Sequence, residues 1–248
     1  MFSVVGRERV RDLLVEKARG DPRVVAAAAI GGSAGEGDRW SDLDLTLGVE
    51  DEIAVEEVLG DWTQDLSAKF EAPVLFDLPV GSTIYRVFLF PGILQVDLSF
   101  TPSKEFAPRG PRFRLLFGVA VERPWPEPPS HAQMLGLAAH HVLRAHLSIE
   151  RGRLWQAEYW IHAARDELLS LACRHLGLET SHGRGFDALP PEAREPLAQA
   201  LVWELRPAEL KRALRVITEA LSREANRIPD VDPRTRPRLE ELRRLLSA

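Results

Sequence analysis

The spacing of hydrophobic and polar positions changes several times along the chain, and each change predicts an element. Apolar residues recur at helical spacing over residues 5–19 and 51–70, whereas the short apolar run at 24–30 is typical of a buried strand. Residues 41–48 alternate strictly, with leucine at positions 43, 45 and 47 and polar side chains between them. Such alternation predicts a strand with one buried face and one polar face.

Three further strands are predicted at residues 73–76, 83–90 and 93–100, and Pro91-Gly92 forms a tight turn between the last two. The stretch 106–129 is rich in proline and arginine and predicts a wrapped loop that ends in a domain boundary near residues 124–129. Helical spacing then dominates, with helices predicted at 131–150, 153–176, 191–204, 207–227 and 233–247. The fold class predicted is α+β: a small mixed β-sheet with flanking helices over residues 1–125, followed by an all-α helical bundle over residues 130–248.

Composition narrows the function classes. The net charge of −5 and the pI near 5.9 give the chain no overall basic field, which argues against nucleic acid as a partner. The basic cluster Arg109, Arg112 and Arg114 is interpreted as a local phosphate-contacting loop. The single Cys173 excludes an internal disulfide, and no apolar run is long enough to span a bilayer. A cytoplasmic protein without a membrane partner is therefore expected.

Carboxylates supply the most informative chemistry. Asp42 and Asp44 lie two apart on the alternating strand and share a face, so their charges repel unless a cation lies between them. Mg²⁺ prefers one or two carboxylates together with phosphate oxygens. Asp97 has the same placement on the strand 93–100; if the two strands are neighbours, three carboxylates converge, as two-metal phosphoryl transfer requires. The alternative is a half-exposed sheet whose polar face simply faces water.

A glycine turn favours the metal hypothesis over that alternative. Gly31-Gly32-Ser33 follows the buried strand 24–30, where backbone amides and a hydroxyl can cradle a terminal phosphate. In the loop that leads from this turn to Asp42, Arg39 and Ser41 are further nucleotide-binding candidates.

The order Gly32-Ser33, short loop, Asp42-Leu43-Asp44 and distant Asp97 resembles the nucleotidyltransferase superfamily of DNA polymerase beta and the aminoglycoside nucleotidyltransferases. The resemblance covers roughly residues 20–101. It implies that Gly32 and Ser33 hold a nucleoside triphosphate, ATP or another one, and that Asp42 and Asp44 ligate Mg²⁺, with two ions expected. Asp97 is then the third acid, as a metal ligand, a base or both.

The helical half is similar in layout to the antibiotic-modifying members, in which a bundle supplies the acceptor pocket. Within the helix 153–176, Trp155, Glu158 and His162 lie on a stripe beside the apolar seam and are expected to be half buried, as residues that line a cleft are. Glu158 is the expected general base for an acceptor hydroxyl, and Glu150 is second choice. The alternative is that Glu158 and His162 form a surface pair at i, i+4.

The predicted activity is Mg²⁺-dependent transfer of a nucleoside monophosphate from a nucleoside triphosphate to a hydroxyl of a small molecule. The expected acceptor is an aminoglycoside-like antibiotic. Two alternatives stay open: an antitoxin-like adenylyltransferase that modifies a protein, and a nucleotide-binding protein whose catalytic site has decayed.

Overall fold

A computed structural model describes residues 2–34, 37–108, 112–124, 127–229 and 231–247. The chain divides into two compact units, Met1–Pro126 and Glu127–Ala248. The first contains the sheet, and the second is helical throughout its regular elements.

The first unit holds a mixed sheet whose six described strands run in the order β3-β4-β5-β2-β1-β6. The strands are β1 Val24–Ile30, β2 Leu43–Val49, β3 Val74–Val80, β4 Thr83–Phe90, β5 Leu94–Pro102 and β6 Phe113–Phe117, and the helices are α1 Val4–Gly20 and α2 Val55–Phe70. Neighbouring strands are antiparallel except β2 and β5, which are parallel. The predicted small mixed sheet with flanking helices is confirmed.

The alternating leucines decide which face of the sheet is covered. Leu43, Leu45 and Leu47 are almost fully buried in one core with side chains of α1 and α2. Trp62 of α2 is also fully buried there and meets the ring of Phe100 edge to face, at 5.4 Å between centroids. The even positions of β2 therefore point to the opposite face, as the alternation predicts.

The prediction of a wrapped loop over residues 106–129 is wrong for residues 113–117, which form β6 and pair with β1. The strand is only five residues long and carries Arg114, so its alternation is too weak to predict a strand. Gly118 follows it with φ +80°, and a Cβ there would lie 2.2 Å from the carbonyl oxygen of Val25. Only glycine fits this close approach to β1.

The strand predicted at 73–76 is also longer than expected, since β3 continues to Val80 through Pro79. β3 is an edge strand with a single neighbour, β4. Proline is tolerated in such a strand, because an edge residue can point its nitrogen away from the ladder.

The second unit contains α3 His131–Glu150, α4 Leu154–His175, α5 Pro191–Ala198, α6 Pro207–Arg227 and α7 Thr235–Ser247. α5 ends earlier than the predicted 204. The guanidinium of Arg212, on α6, donates to the carbonyl oxygens of Gln199 (2.5 Å) and Leu201 (2.8 Å). These carbonyl oxygens would accept backbone N–H groups if α5 continued, so Arg212 replaces the hydrogen bonds of a longer helix.

The seam predicted on α4 is confirmed. Ala157, Ile161, Ala164, Leu168 and Leu171 are all buried in the core of the second unit. In the described part of the chain, no helix combines the length and the apolar character needed to cross a membrane.

Candidate active site

The parallel pairing of β2 with β5 brings the predicted carboxylates together. Asp44 stands directly opposite Asp97 in the register of the two strands, and Asp42 immediately precedes β2. Side chains opposite each other in a ladder lie on the same face, so the strands place Asp44 and Asp97 side by side. The condition set by the sequence, that the two strands be neighbours, is met.

One carboxylate oxygen from each of Asp42, Asp44 and Asp97 lies within 4.8 Å of the other two, and all three side chains reach solvent. Burial raises the pKa of Asp97, and the nearby charge of Asp42 raises it further, while a hydrogen bond from Gln95 acts in the opposite direction. Three acidic groups held this close and facing one another form an oxygen donor set that suits a hard divalent cation. The residues therefore fit the Mg²⁺ that the sequence resemblance implies.

Ser33 braces the strand that carries two of the acids. The glycine turn forms a short 3₁₀ turn, Gly31–Ala34, directly after β1. The hydroxyl of Ser33 accepts the backbone N–H of Asp44 at 2.9 Å and lies 3.4 Å from the carbonyl oxygen of Asp42, to which it donates. The Ser33 hydroxyl therefore bonds to backbone groups of both aspartates, on either side of Leu43.

Gly31 and Gly32 let the turn approach its neighbours closely. Gly31 has φ +58°, and a Cβ there would lie 3.0 Å from Oδ2 of Asp44. A Cβ on Gly32 would lie 3.1 Å from the Ser41 hydroxyl. Larger residues at either position would displace the side chains around the acids.

The loop before Asp42 is closed by Asp38. Its Oδ1 accepts the backbone N–H of Trp40 at 2.9 Å and the hydroxyl of Ser41 at 3.0 Å, and these bonds lower the pKa of Asp38. Arg39 is exposed, with its guanidinium 4.3 Å from the centre of the Trp40 ring. The roles of Arg39 and Ser41 in nucleotide binding stay predictions. Both residues lie in the loop that follows the glycine turn, and the Ser41 hydroxyl is next to Gly32.

Part of the predicted basic cluster borders the turn. The N–H of Gly31 donates to the carbonyl oxygen of Arg112 at 3.1 Å, and the guanidinium of Arg114 lies 3.4 Å from the carbonyl oxygen of Ser33. Arg109 lies outside the described residues. Arg114 thus supplies a positive charge next to the residues predicted to bind phosphate.

Glu158 lies in the second unit, on α4, and is partly buried. The alternative interpretation, a surface pair between Glu158 and His162, is wrong. His162 instead lies 2.9 Å from a carboxylate oxygen of Asp166. The expected half-burial of the stripe is also incorrect for Trp155, which is 77% exposed, and for His162. Glu150, the second choice for the base, forms an ion pair with Lys211 at 3.1 Å.

A cavity of about 500 Å³ lies in the second unit among α4, α5 and α6. Its lining includes the buried side chains of Leu168 and Leu197 and the charged residues Glu192, Arg223 and Glu224. Glu158 does not line it. The cavity is therefore separate from the stripe that the sequence predicted as the acceptor surface.

Sequence reasoning missed three residues of the first unit. Gln95 donates its side-chain amide to both oxygens of Asp97, at 3.0 and 3.1 Å, and its position two before Asp97 on one strand face was a usable signal. Asp38 closes the loop, and Arg7 of α1 donates to it. Arg7 gave no signal, because a charged residue on an amphipathic helix predicts a solvated face.

No protein-family model matches the chain, and no curated protein matches its sequence. Among solved structures, an aminoglycoside 6-adenyltransferase from Bacillus subtilis matches at 16% identity and a TM-score of 0.37, over 94% of this chain and 96% of its own. A nucleotidyltransferase-like protein from Exiguobacterium sibiricum 255-15 matches at 14% identity and a TM-score of 0.41, over 88% of this chain and 75% of its own. Since both TM-scores are low, the function proposed below rests on the geometry of the site.

Proposed function

We propose that the protein is a Mg²⁺-dependent nucleotidyltransferase that moves a nucleoside monophosphate from a nucleoside triphosphate to a hydroxyl of a small molecule. The expected nucleoside triphosphate is ATP. One observation carries the proposal: Asp42, Asp44 and Asp97 come within 4.8 Å of one another on two neighbouring strands. Three carboxylates this close repel one another, and a divalent cation bound between them would offset that repulsion.

In this proposal, some residues of the first unit bind the metal and others bind the nucleotide. Asp42 and Asp44 would hold Mg²⁺, with Asp97 as a third ligand or as a base. Mg²⁺ when bound supplies charge neutralisation for the triphosphate and alignment of the attacking oxygen. Ser33 keeps the backbone of both aspartates in place. We expect the backbone amides of Gly32 and Ser33 to bind a terminal phosphate.

The second unit would bind the acceptor. Glu158 is proposed as the base that takes the proton of the acceptor hydroxyl, with Trp155 and Tyr159 exposed on the same helix. Exposed aromatic faces next to a carboxylate suit a cationic, sugar-like ligand, which favours an aminoglycoside-like antibiotic as acceptor. The enzyme would act in the cytoplasm.

The test is a pyrophosphate-release assay with each nucleoside triphosphate in turn, Mg²⁺, and a panel of hydroxyl-bearing antibiotics. We expect release that needs both Mg²⁺ and an acceptor and that labels the acceptor when the α-phosphate is radioactive. Asp44→Asn should lower the rate by roughly 100-fold or more, because the metal loses a charged ligand. Its melting temperature should stay within a few degrees of the wild type.

The matched control is Glu52→Gln, which removes one negative charge from an exposed turn of the same unit and should leave the rate unchanged. If Asp44→Asn unfolds the protein while Glu52→Gln does not, the aspartate serves the fold and the metal hypothesis fails. Labelling of a protein band in lysate, with no labelled antibiotic, would favour a protein-modifying enzyme. Mg²⁺-dependent nucleotide binding without pyrophosphate from any acceptor would favour a decayed site.

A further inference from the structure

Arg7 is a buried charged side chain of the first unit that the proposed chemistry does not use. It lies on α1 and is only 6% exposed. Burying the charge of a guanidinium costs free energy unless hydrogen bonds and an opposite charge compensate it. The hydrogen-bond partners of Arg7 therefore identify the segment of the chain that this residue holds in place.

The guanidinium reaches the loop that joins the glycine turn to β2. One terminal nitrogen donates to the carbonyl oxygen of Asp38 at 2.6 Å and to that of Ser41 at 3.2 Å, and the other lies 3.5 Å from the carbonyl oxygen of Gly37. Glu8 supplies the balancing charge, 3.3 Å away. Arg7 thus gathers backbone oxygens from both ends of a five-residue loop segment, 37–41.

This loop is packed directly against the glycine turn. The N–H of Ser41 closes it on the carbonyl oxygen of Asp38 at 3.2 Å. A Cβ on Gly37 would lie 2.9 Å from the carbonyl oxygen of Gly32, so the loop and the turn touch with no room to spare. A shift of the loop would therefore displace Gly32 and the hydroxyl of Ser41 together.

We infer that Arg7 is a positioning residue for the nucleotide: it fixes the loop 37–41 so that Gly32, Ser33 and Asp42 meet the triphosphate and its metal in one arrangement. This inference rests on the proposed function. Asp44 and Asp97 stand on β2 and β5, which are held by the pairing of the two strands independently of Arg7. The loss of Arg7 should therefore weaken triphosphate binding more than it affects the acceptor.

The experiment uses the full chain and compares Arg7→Gln, Arg7→Lys and the control Arg9→Gln, which alters an exposed arginine of the same helix. Binding of each of the four nucleoside triphosphates with Mg²⁺ is measured by calorimetry, and backbone hydrogen exchange of residues 37–44 is measured without ligand. Arg7→Gln should raise the dissociation constant of the nucleotide roughly 10- to 100-fold and speed exchange in the loop. Arg7→Lys should recover part of both, and Arg9→Gln should match the wild type.

Steady-state kinetics separates positioning from stability alone. A purely structural role would lower the fraction of active protein, and therefore kcat, without changing the KM for the nucleotide. Positioning should raise the KM for the nucleotide and leave that for the acceptor unchanged. If Arg7→Gln does not fold, the same measurements on Arg7→Lys decide.

The two hypotheses fail in different ways. Wild-type protein that binds none of the four nucleotides overturns the proposed function, and with it the role of Arg7. Wild-type binding that Arg7→Gln and Arg7→Lys both retain in full, or unchanged exchange in residues 37–44, overturns the inference on Arg7 alone.

Discussion

Neutralising one member of the carboxylate cluster should stabilise the protein when no metal is bound. In Asp97→Asn the amide oxygen can still accept the hydrogen bond from Gln95, while the negative charge opposite Asp44 is removed. Stability and activity should therefore move in opposite directions, which is typical of a site whose like charges are assembled for function.

The magnitude follows from Coulomb's law. Two unit charges at the 4.8 Å that bounds the separation of these carboxylate oxygens repel by about 3.5 kcal/mol at an effective dielectric constant of about 20, and by about 0.9 kcal/mol in water. All three groups reach solvent, so the gain in the free energy of unfolding should be about 1–3 kcal/mol. For a unit of this size, that corresponds to a rise in melting temperature of roughly 3–9 °C.

The assay is thermal unfolding of the wild type and of Asp97→Asn, first with a chelator and then with increasing Mg²⁺. In the chelator the variant should melt higher than the wild type. Mg²⁺ should raise the melting temperature of the wild type, since a ligand that binds the native state stabilises it, and should raise that of the variant much less. Transfer activity of the variant should be lost.

Glu52→Gln again provides the control, because it removes an exposed negative charge outside the cluster and should change neither melting curve beyond about 0.5 kcal/mol. The reasoning is refuted if Asp97→Asn melts lower than the wild type in the chelator. It is also refuted if Mg²⁺ stabilises both proteins equally.

Two further changes test the supports of the site and of the fold. Ser33→Ala removes the acceptor of the Asp44 N–H, so it should lower the free energy of unfolding by about 1 kcal/mol and kcat/KM about tenfold. An unchanged kcat/KM would contradict the role of Ser33 in positioning Asp44. Hydrogen bonds from Arg23 and then Trp62 lower the pKa of Asp21 from 3.8 to about 2. Because the folded pKa lies below the unfolded one, this carboxylate stabilises the fold by roughly 2 kcal/mol above pH 4, and the contribution is lost as the pH falls towards 2. Denaturant titration of Asp21→Asn against wild type should therefore show a difference at pH 7 that vanishes near pH 2, and a difference independent of pH would contradict it.

The sequence by itself determined the local pattern of the site. Alternation over residues 41–48 placed the leucines of β2 in the core and Asp44 on the other face, because successive side chains of a strand point in opposite directions. The same periodicity placed Asp97 on its strand, and the change to helical spacing after residue 130 predicted the second unit. These features depend only on neighbours along the chain.

Tertiary structure alone decided which distant residues meet. The parallel pairing of β2 with β5 puts Asp44 opposite Asp97, and no local pattern specifies which strands become neighbours. β6 was missed because its pairing with β1, not its own short pattern, makes it a strand. Arg7 looked like one more charge on a helix, yet its burial and its hydrogen bonds to the loop 37–41 arise only when α1 packs beside that loop.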